Sequence, residues 1–216
     1  MSSEVAEIAL MTDSRNFREP ERNGTDSSYA PLIVQAKSGD SAAFEQLVMI
    51  FQRRVLSTAW RMLGNEQDAR DAAQEAFLRT FKYLRSFKLD QDFSGWLYRI
   101  VINACRDVAR KGRYRDQITS IDSAHEDGAL DAIQSRDDVE AAAIKAQELK
   151  MVAQALGTLS KKERAALVLR DLEGLPTDEV ARILGSSQAT VRSQISSARA
   201  KIKLYHQRLT TRGRRL

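Results

Sequence analysis

Apolar residues recur at helical spacing along most of this chain, and no segment keeps the strict alternation of a half-buried strand. Pro31 suits the first turn of a helix that Gly39 ends. Asp40 or Ser41 can cap the next helix, where Phe44, Leu47, Val48, Phe51, Val55, Ala59 and Met62 form one stripe up to Gly64. Asn65 opens a third helix, with Ala69, Ala73, Ala76, Phe77, Thr80, Phe81 and Leu84 on one face. After a short loop, Ser94 caps a fourth helix that runs through Trp96, Leu97, Ile100, Val101, Ala104 and Val108 to Gly112. Four matched apolar stripes predict a self-contained bundle over residues 29–112. The segment 113–137 has no sustained period and reads as a linker. A second helical module spans 138–206, in which Ser160-Lys-Lys-Glu163 is a capping box. The fold class predicted is all-α: two helical lobes on a flexible acidic linker. Residues 1–28 are polar and aperiodic, and read as a disordered extension; 207–216 form a basic tail.

Charge placement sharpens this division. The formal charge is only +5, but Asp116 to Glu140 carries eight acids against one base, Arg136. Ser187 to Leu216 holds eight basic side chains and no acid. Such asymmetry fits a nucleic-acid partner rather than a membrane, because no basic helix offers a bulky apolar face. A lone Cys105 excludes an internal disulfide, and His125 and His206 with that thiol cannot build a structural zinc site. No apolar run is long enough for a membrane span, and the N-terminus lacks the order of a signal peptide, so the expected location is cytoplasmic. No Gly-rich phosphate loop, nucleophile with a base or metal cluster is present, so neither enzyme chemistry nor a cofactor or small-molecule substrate is expected.

Pro176 to Gly185 followed by a basic, polar helix from Ser187 is a helix-turn-helix pattern. Base readout would fall to Gln188, Thr190, Arg192, Ser193, Gln194 and Ser197 near the second helix's start, with Arg192 suited to guanine and Gln194 to adenine. Ile195 and Ala198 should face Val180 and Ile183. Arg199, Lys201 and Lys203 suit phosphates; a solvated basic helix end is the plainer alternative. On the fourth helix, Arg99, Asn103, Arg106 and Arg110 form a second polar stripe beside Tyr83, Phe87, Phe93, Trp96 and Tyr98. Basic stripes with aromatics can track a phosphate backbone and accept unstacked bases. Phe93 and Trp96 read as core, whereas Phe87 in the loop is the better base contact. Asp68, Asp71, Gln74 and Glu75 form an acidic face, either a solvated surface or a seat for a basic protein.

Three blocks in order then carry a family resemblance: Asp68-Ala-Arg-Asp-Ala-Ala-Gln-Glu-Ala-Phe77, Phe93-Ser-Gly-Trp-Leu-Tyr-Arg-Ile100 with Asn103, and Leu169-Arg-Asp-Leu-Glu-Gly-Leu175 entering the helix-turn-helix. Together they closely resemble the extracytoplasmic-function sigma factors of bacteria, from about Leu32 to Lys203. The resemblance implies a non-enzymatic subunit that binds core RNA polymerase, directs it to promoters and helps melt them. It implies that Asp71, Gln74 and Glu75, with Asp68, meet the polymerase. It places Phe87 and Asn103 at the minus-ten element, and Arg192, Ser193, Ser196, Ser197 and Arg199 at the minus-thirty-five element. An anti-sigma partner is implied too, and the acidic connector resembles a segment threading toward the polymerase channel. Gln194, Ser196 and Ser197 depart from the larger side chains common in relatives, so no promoter sequence carries over. The rival class is a stand-alone helix-turn-helix regulator whose front lobe senses or dimerises.

Overall fold

The computed structural model describes residues 25–119, 147 and 149–213. The first 24 residues, the acidic stretch 120–146 and the last three residues lie outside these. Helix α1 spans Thr25–Ser38, α2 Ser41–Leu63, α3 Glu66–Tyr83 and α4 Phe93–Thr119, with a 3-10 turn at Leu84–Ser86. Residues 149–157 form α5, followed by α6 (Lys161–Leu167), a π-helical turn (Val168–Leu172), α7 (Thr177–Leu184) and α8 (Gln188–Gly213). The described residues are helical and contain no strand, as the sequence predicts.

Caps follow side-chain chemistry. Asp40 accepts from the Ala42 and Ala43 amides, and Asn65 from Asp68 N. The Ser160–Glu163 box is reciprocal, with Ser160 N donating to Glu163 Oε2 at 2.8 Å. Four boundaries differ from the sequence reading, one of them the end of α8, which runs to Gly213 through most of the expected tail. α1 begins a turn early, at Thr25, so Pro31 sits inside it and removes only the bond to the Ser27 carbonyl. α4 is capped by Asp92, whose carboxylate accepts from Gly95 N, and not by Ser94. α4 also runs through Gly112 to Thr119, into the expected linker. Gly185 stops α7 because its backbone turns left-handed (φ 62°), whereas Gly112 keeps helical geometry, at a cost of about 1 kcal/mol relative to Ala.

In the first lobe Ile33, Leu47, Phe51, Val55, Leu97 and Val101 are buried between α1, α2, α3 and α4. A second cluster joins the lobes. Tyr98 and Ile102 of α4 pack with Leu169, Leu175, Val180 and Ala181 of the second. A third, with Val152, Leu156, Leu167 and Ile202, receives Trp60 from α2. The lobes are therefore packed directly on each other, which no sequence signal announced.

Candidate nucleic-acid and protein interfaces

Gly185 and the Ser186 N to Ala181 O bond (2.9 Å) close α7, and Ser187 Oγ accepts from Thr190 N (3.1 Å) to open α8. Val180, Ile183, Val191 and Ile195 bury the seam between these two helices. Ala198 lies on the same stripe one turn on, but joins the third cluster. This orientation leaves Gln188, Thr190, Arg192, Ser193, Ser196, Arg199 and Lys203 facing solvent. Two expected readers are turned away. Gln194 is half-buried with its Oε1 enclosed and unbonded, and Ser197 donates to Glu163 Oε1 at 2.6 Å. Both flank the buried 191–195–198 stripe, and helical spacing rotates them towards the lobe's interior. Arg199 is not a free cation either. It forms a two-pronged pair with Asp171 (2.8 and 2.6 Å), which raises its pKa.

In the first lobe Arg99, Asn103, Arg106 and Arg110 are exposed along α4, as their spacing predicts. Arg106 donates to Asn103 Oδ1 at 3.3 Å, and Arg110 pairs with Asp107 at 3.2 Å. At the start of this stripe a cleft of about 280 Å³ is lined by Arg79, Tyr83, Trp96, Arg99, Ile100 and Asn103. That volume suits one flat ring better than an extended ligand. Arg79 is fixed at its edge by Asp107 (2.8 Å) and Glu75 (2.6 Å), which raise its pKa.

Phe87 does not present its ring to this cleft from an open loop. It is only 3% exposed, packed at a tilt against Trp96 (5.0 Å between ring centroids) and edge-on against Phe93 (5.4 Å). The loop folds inward because a large ring gains more from that aromatic cluster than from solvent. Trp96, read as core, does pack half-buried against the first lobe's core, but also lines the cleft, while Phe93 is buried as expected. Phe87 thus supports the cleft's aromatic wall from behind.

On α3, Asp71 and Gln74 are exposed and Glu75 is half-exposed. Asp68 is partly occupied at the helix start, where Asn65 Nδ2 donates to it at 2.8 Å. The same face continues into Leu78 and Phe81, 60% and 59% exposed. The apolar spacing had placed Phe81 in the core; it packs only edge-on against half-buried Phe44, at 5.0 Å. Acids running into exposed large apolar residues are the composition of a protein-binding face.

Residues 47–115 match the family model described as sigma-70 region 2, and residues 149–202 the one described as sigma-70, region 4. The RNA polymerase sigma-H factor of Pseudomonas aeruginosa is 36% identical over 182 residues, covering 79% of this chain and 90% of that protein. The ECF RNA polymerase sigma factor SigW of Bacillus subtilis is 32% identical over 181 residues, 79% and 92% of the two chains. Among solved structures, CnrH in complex with the cytosolic domain of CnrY is 30% identical with a TM-score of 0.59, covering 82% of this chain and 96% of that one. The sigma factor RpoE bound to the anti-sigma factor NepR from Bartonella quintana superposes with a TM-score of 0.58 at 21% identity, covering 76% and 96%, a likeness of fold.

Proposed function

This chain belongs to the extracytoplasmic-function sigma factors of the sigma-70 family, and on that footing we propose which of its surfaces does what. It is the sigma subunit that binds core RNA polymerase, directs it to promoters and assists their melting. The stand-alone regulator is set aside, because regions 2 and 4 lie in one chain in sigma order.

The first lobe, 29–112 with the rest of α4, meets the polymerase and the minus-ten element. Asp71, Gln74 and Glu75 provide the polar part of the polymerase seat, with Leu78 and Phe81 as its apolar anchors and Asp68 at its edge. Arg99, Arg106 and Arg110 follow the phosphate backbone. The α3–α4 cleft takes one unstacked base, with Trp96 and Tyr83 offering ring faces and Asn103 a pair of hydrogen-bonding groups. Unstacking costs a few kcal/mol, which the polymerase-anchored complex can supply. The second lobe, 138–206, reads the minus-thirty-five element through Gln188, Thr190, Arg192, Ser193 and Ser196, with Lys203 on phosphate. Arg199 reaches phosphate once it exchanges Asp171 for it. An anti-sigma protein remains the expected regulatory partner.

No catalytic step is assigned to this chain. Among the described residues no group of His, Cys, Asp and Glu could hold a metal, and no helix is long and apolar enough to cross a membrane.

The observation that carries the assignment is the pair of exposed basic surfaces, one on each matched region. Transcription with purified core polymerase on promoter fragments tests it. Defined start sites that require this chain are expected, and Arg192→Ala should lose minus-thirty-five preference while keeping polymerase binding. Tight sequence-specific footprints by the isolated chain at physiological salt would contradict the polymerase-dependent mechanism.

A further inference from the structure

Glu173 follows the π-helical turn and is only 5% exposed, yet its carboxylate points out of its own lobe. Its partners come from the other lobe. Thr58 Oγ1 donates to Oε1 at 2.7 Å, Arg61 Nη1 to Oε1 at 3.0 Å and Tyr98 OH to Oε2 at 2.5 Å. Arg54 stands 3.9 Å from Oε2 and lies over the Tyr98 ring. Around this knot, Arg164 Nη1 donates to the Met62 carbonyl at 2.9 Å, and Trp60 packs into the second lobe. A buried carboxylate that loses its partners is strongly unfavourable, so this contact specifies one docking geometry.

That geometry conflicts with reading two promoter elements at once. Elements centred about 25 base pairs apart are separated by about 85 Å of straight duplex. A compact chain of this length has a radius of gyration of about 17 Å, and so measures about 45 Å across. Packed lobes therefore cannot reach both. Residues 120–146 could span about 90 Å if extended, so the connector permits separation.

We infer that the docked arrangement is a closed, self-restrained state written into this chain. Its latch is Glu173 seated among Thr58, Arg61 and Tyr98, and it must release before both promoter elements are engaged. The inference rests on the sigma reading above, and adds that no second protein is needed to hold the lobes shut. A second meeting point makes the latch releasable. The Glu179 carboxylate of α7 and that of Asp92 converge on Gly95 at the start of α4, where a Cβ would lie 1.5 Å from Glu179 Oε1 and 2.8 Å from Asp92 Oδ2. Two acids meeting across the seam are a weak point beside the strong one.

The test uses the full chain. With Trp96→Phe to silence the other tryptophan, Trp60 emission reports whether the seam is dry. Glu173→Ala and Arg61→Glu should each shift that emission to the red and increase its quenching by acrylamide. In the unaltered Trp96 background, combined with polymerase, they should raise apparent promoter affinity, about tenfold if nine-tenths of the chain is closed. The exchange Arg61→Glu with Glu173→Arg should return both readouts towards wild type. Should Glu173→Ala lose helicity, Arg61→Glu decides alone, since it leaves the second lobe untouched. Folded variants that keep wild-type emission, or that open without any gain in promoter affinity, overturn the latch. A wild-type chain that never directs polymerase to a start site removes the sigma reading instead, and leaves the emission result standing.

Discussion

At the scale of single residues, position within the packed chain decides chemistry more than residue type does. Glu179 is pushed up to about 8, first by burial, then by the hydrogen bond and charge of Asp92; Asp178 adds to this and Arg182 opposes it. Its ordinary value is 4.5, so the docked arrangement binds a proton that a separated, solvated Glu179 would not hold at neutral pH. The contribution of Glu179 to docking is therefore fully present below about pH 4.5 and is lost as pH rises through about 8. Trp60 emission should shift to the red between about pH 6 and 8.5, and Glu179→Gln should flatten that change. Among the described residues Arg192 hydrogen-bonds Gln188 of its own helix (3.1 Å) and is exposed, so its guanidinium can turn to a base. Arg192→Ala should cost about 1–3 kcal/mol of discrimination at one base pair, read by competition between promoter variants. Gln194→Ala should leave promoter preference unchanged, because its amide oxygen is enclosed.

Among the elements, α6 and α8 are joined by one carboxylate. Glu163 is lowered to about 2, chiefly by Lys201, then by Ser197 and the Ser160 amide. A carboxyl depressed on folding contributes stability above its unfolded value of about 4.5, lost as pH falls towards 2. Thermal melts of the wild type should show that acid loss, and Glu163→Gln should be less stable at neutral pH and less sensitive to acid. Ser160→Ala removes the cap alone and should cost about 0.5–2 kcal/mol. On α3, Phe81→Ser should weaken polymerase binding while changing stability by about 1 kcal/mol or less, since the ring is mostly in solvent. A pull-down with core enzyme beside a melting curve separates those effects. Phe77 and Phe81 share the apolar stripe of α3, but Phe77 packs against the first lobe's core whereas Phe81 meets Phe44 edge-on and stays mostly in solvent.

For the molecule as a whole, affinity for DNA is divided between lobes that cannot act together while docked. The isolated chain should bind duplex weakly and lose affinity steeply with salt. Lys203→Ala should lower the slope of log K against log salt by about one unit across all sequences, the signature of a phosphate contact. The bidentate Arg199–Asp171 pair makes an opposite prediction: Asp171→Asn should strengthen non-specific binding by freeing a cation. Direct titration of DNA fragments at several salt concentrations checks both.

Periodicity and capping chemistry alone predicted an all-α chain, a cap at Asp40 or Ser41, a helix start at Asn65, the Ser160 capping box, the helix-turn-helix and the exposed stripe from Arg99 to Arg110. These are local properties, set by side-chain spacing on one helix and by groups a few residues apart. Only tertiary packing determined that Phe87 would be covered and Trp96 would line a cleft, that Ser197 and Arg199 would be engaged by acids from other elements, and that Glu173 would close one lobe on the other. Those outcomes depend on partners from 6 to 115 residues away in sequence, and a one-dimensional pattern carries no record of which side chain arrives to bury, pair or expose a given residue.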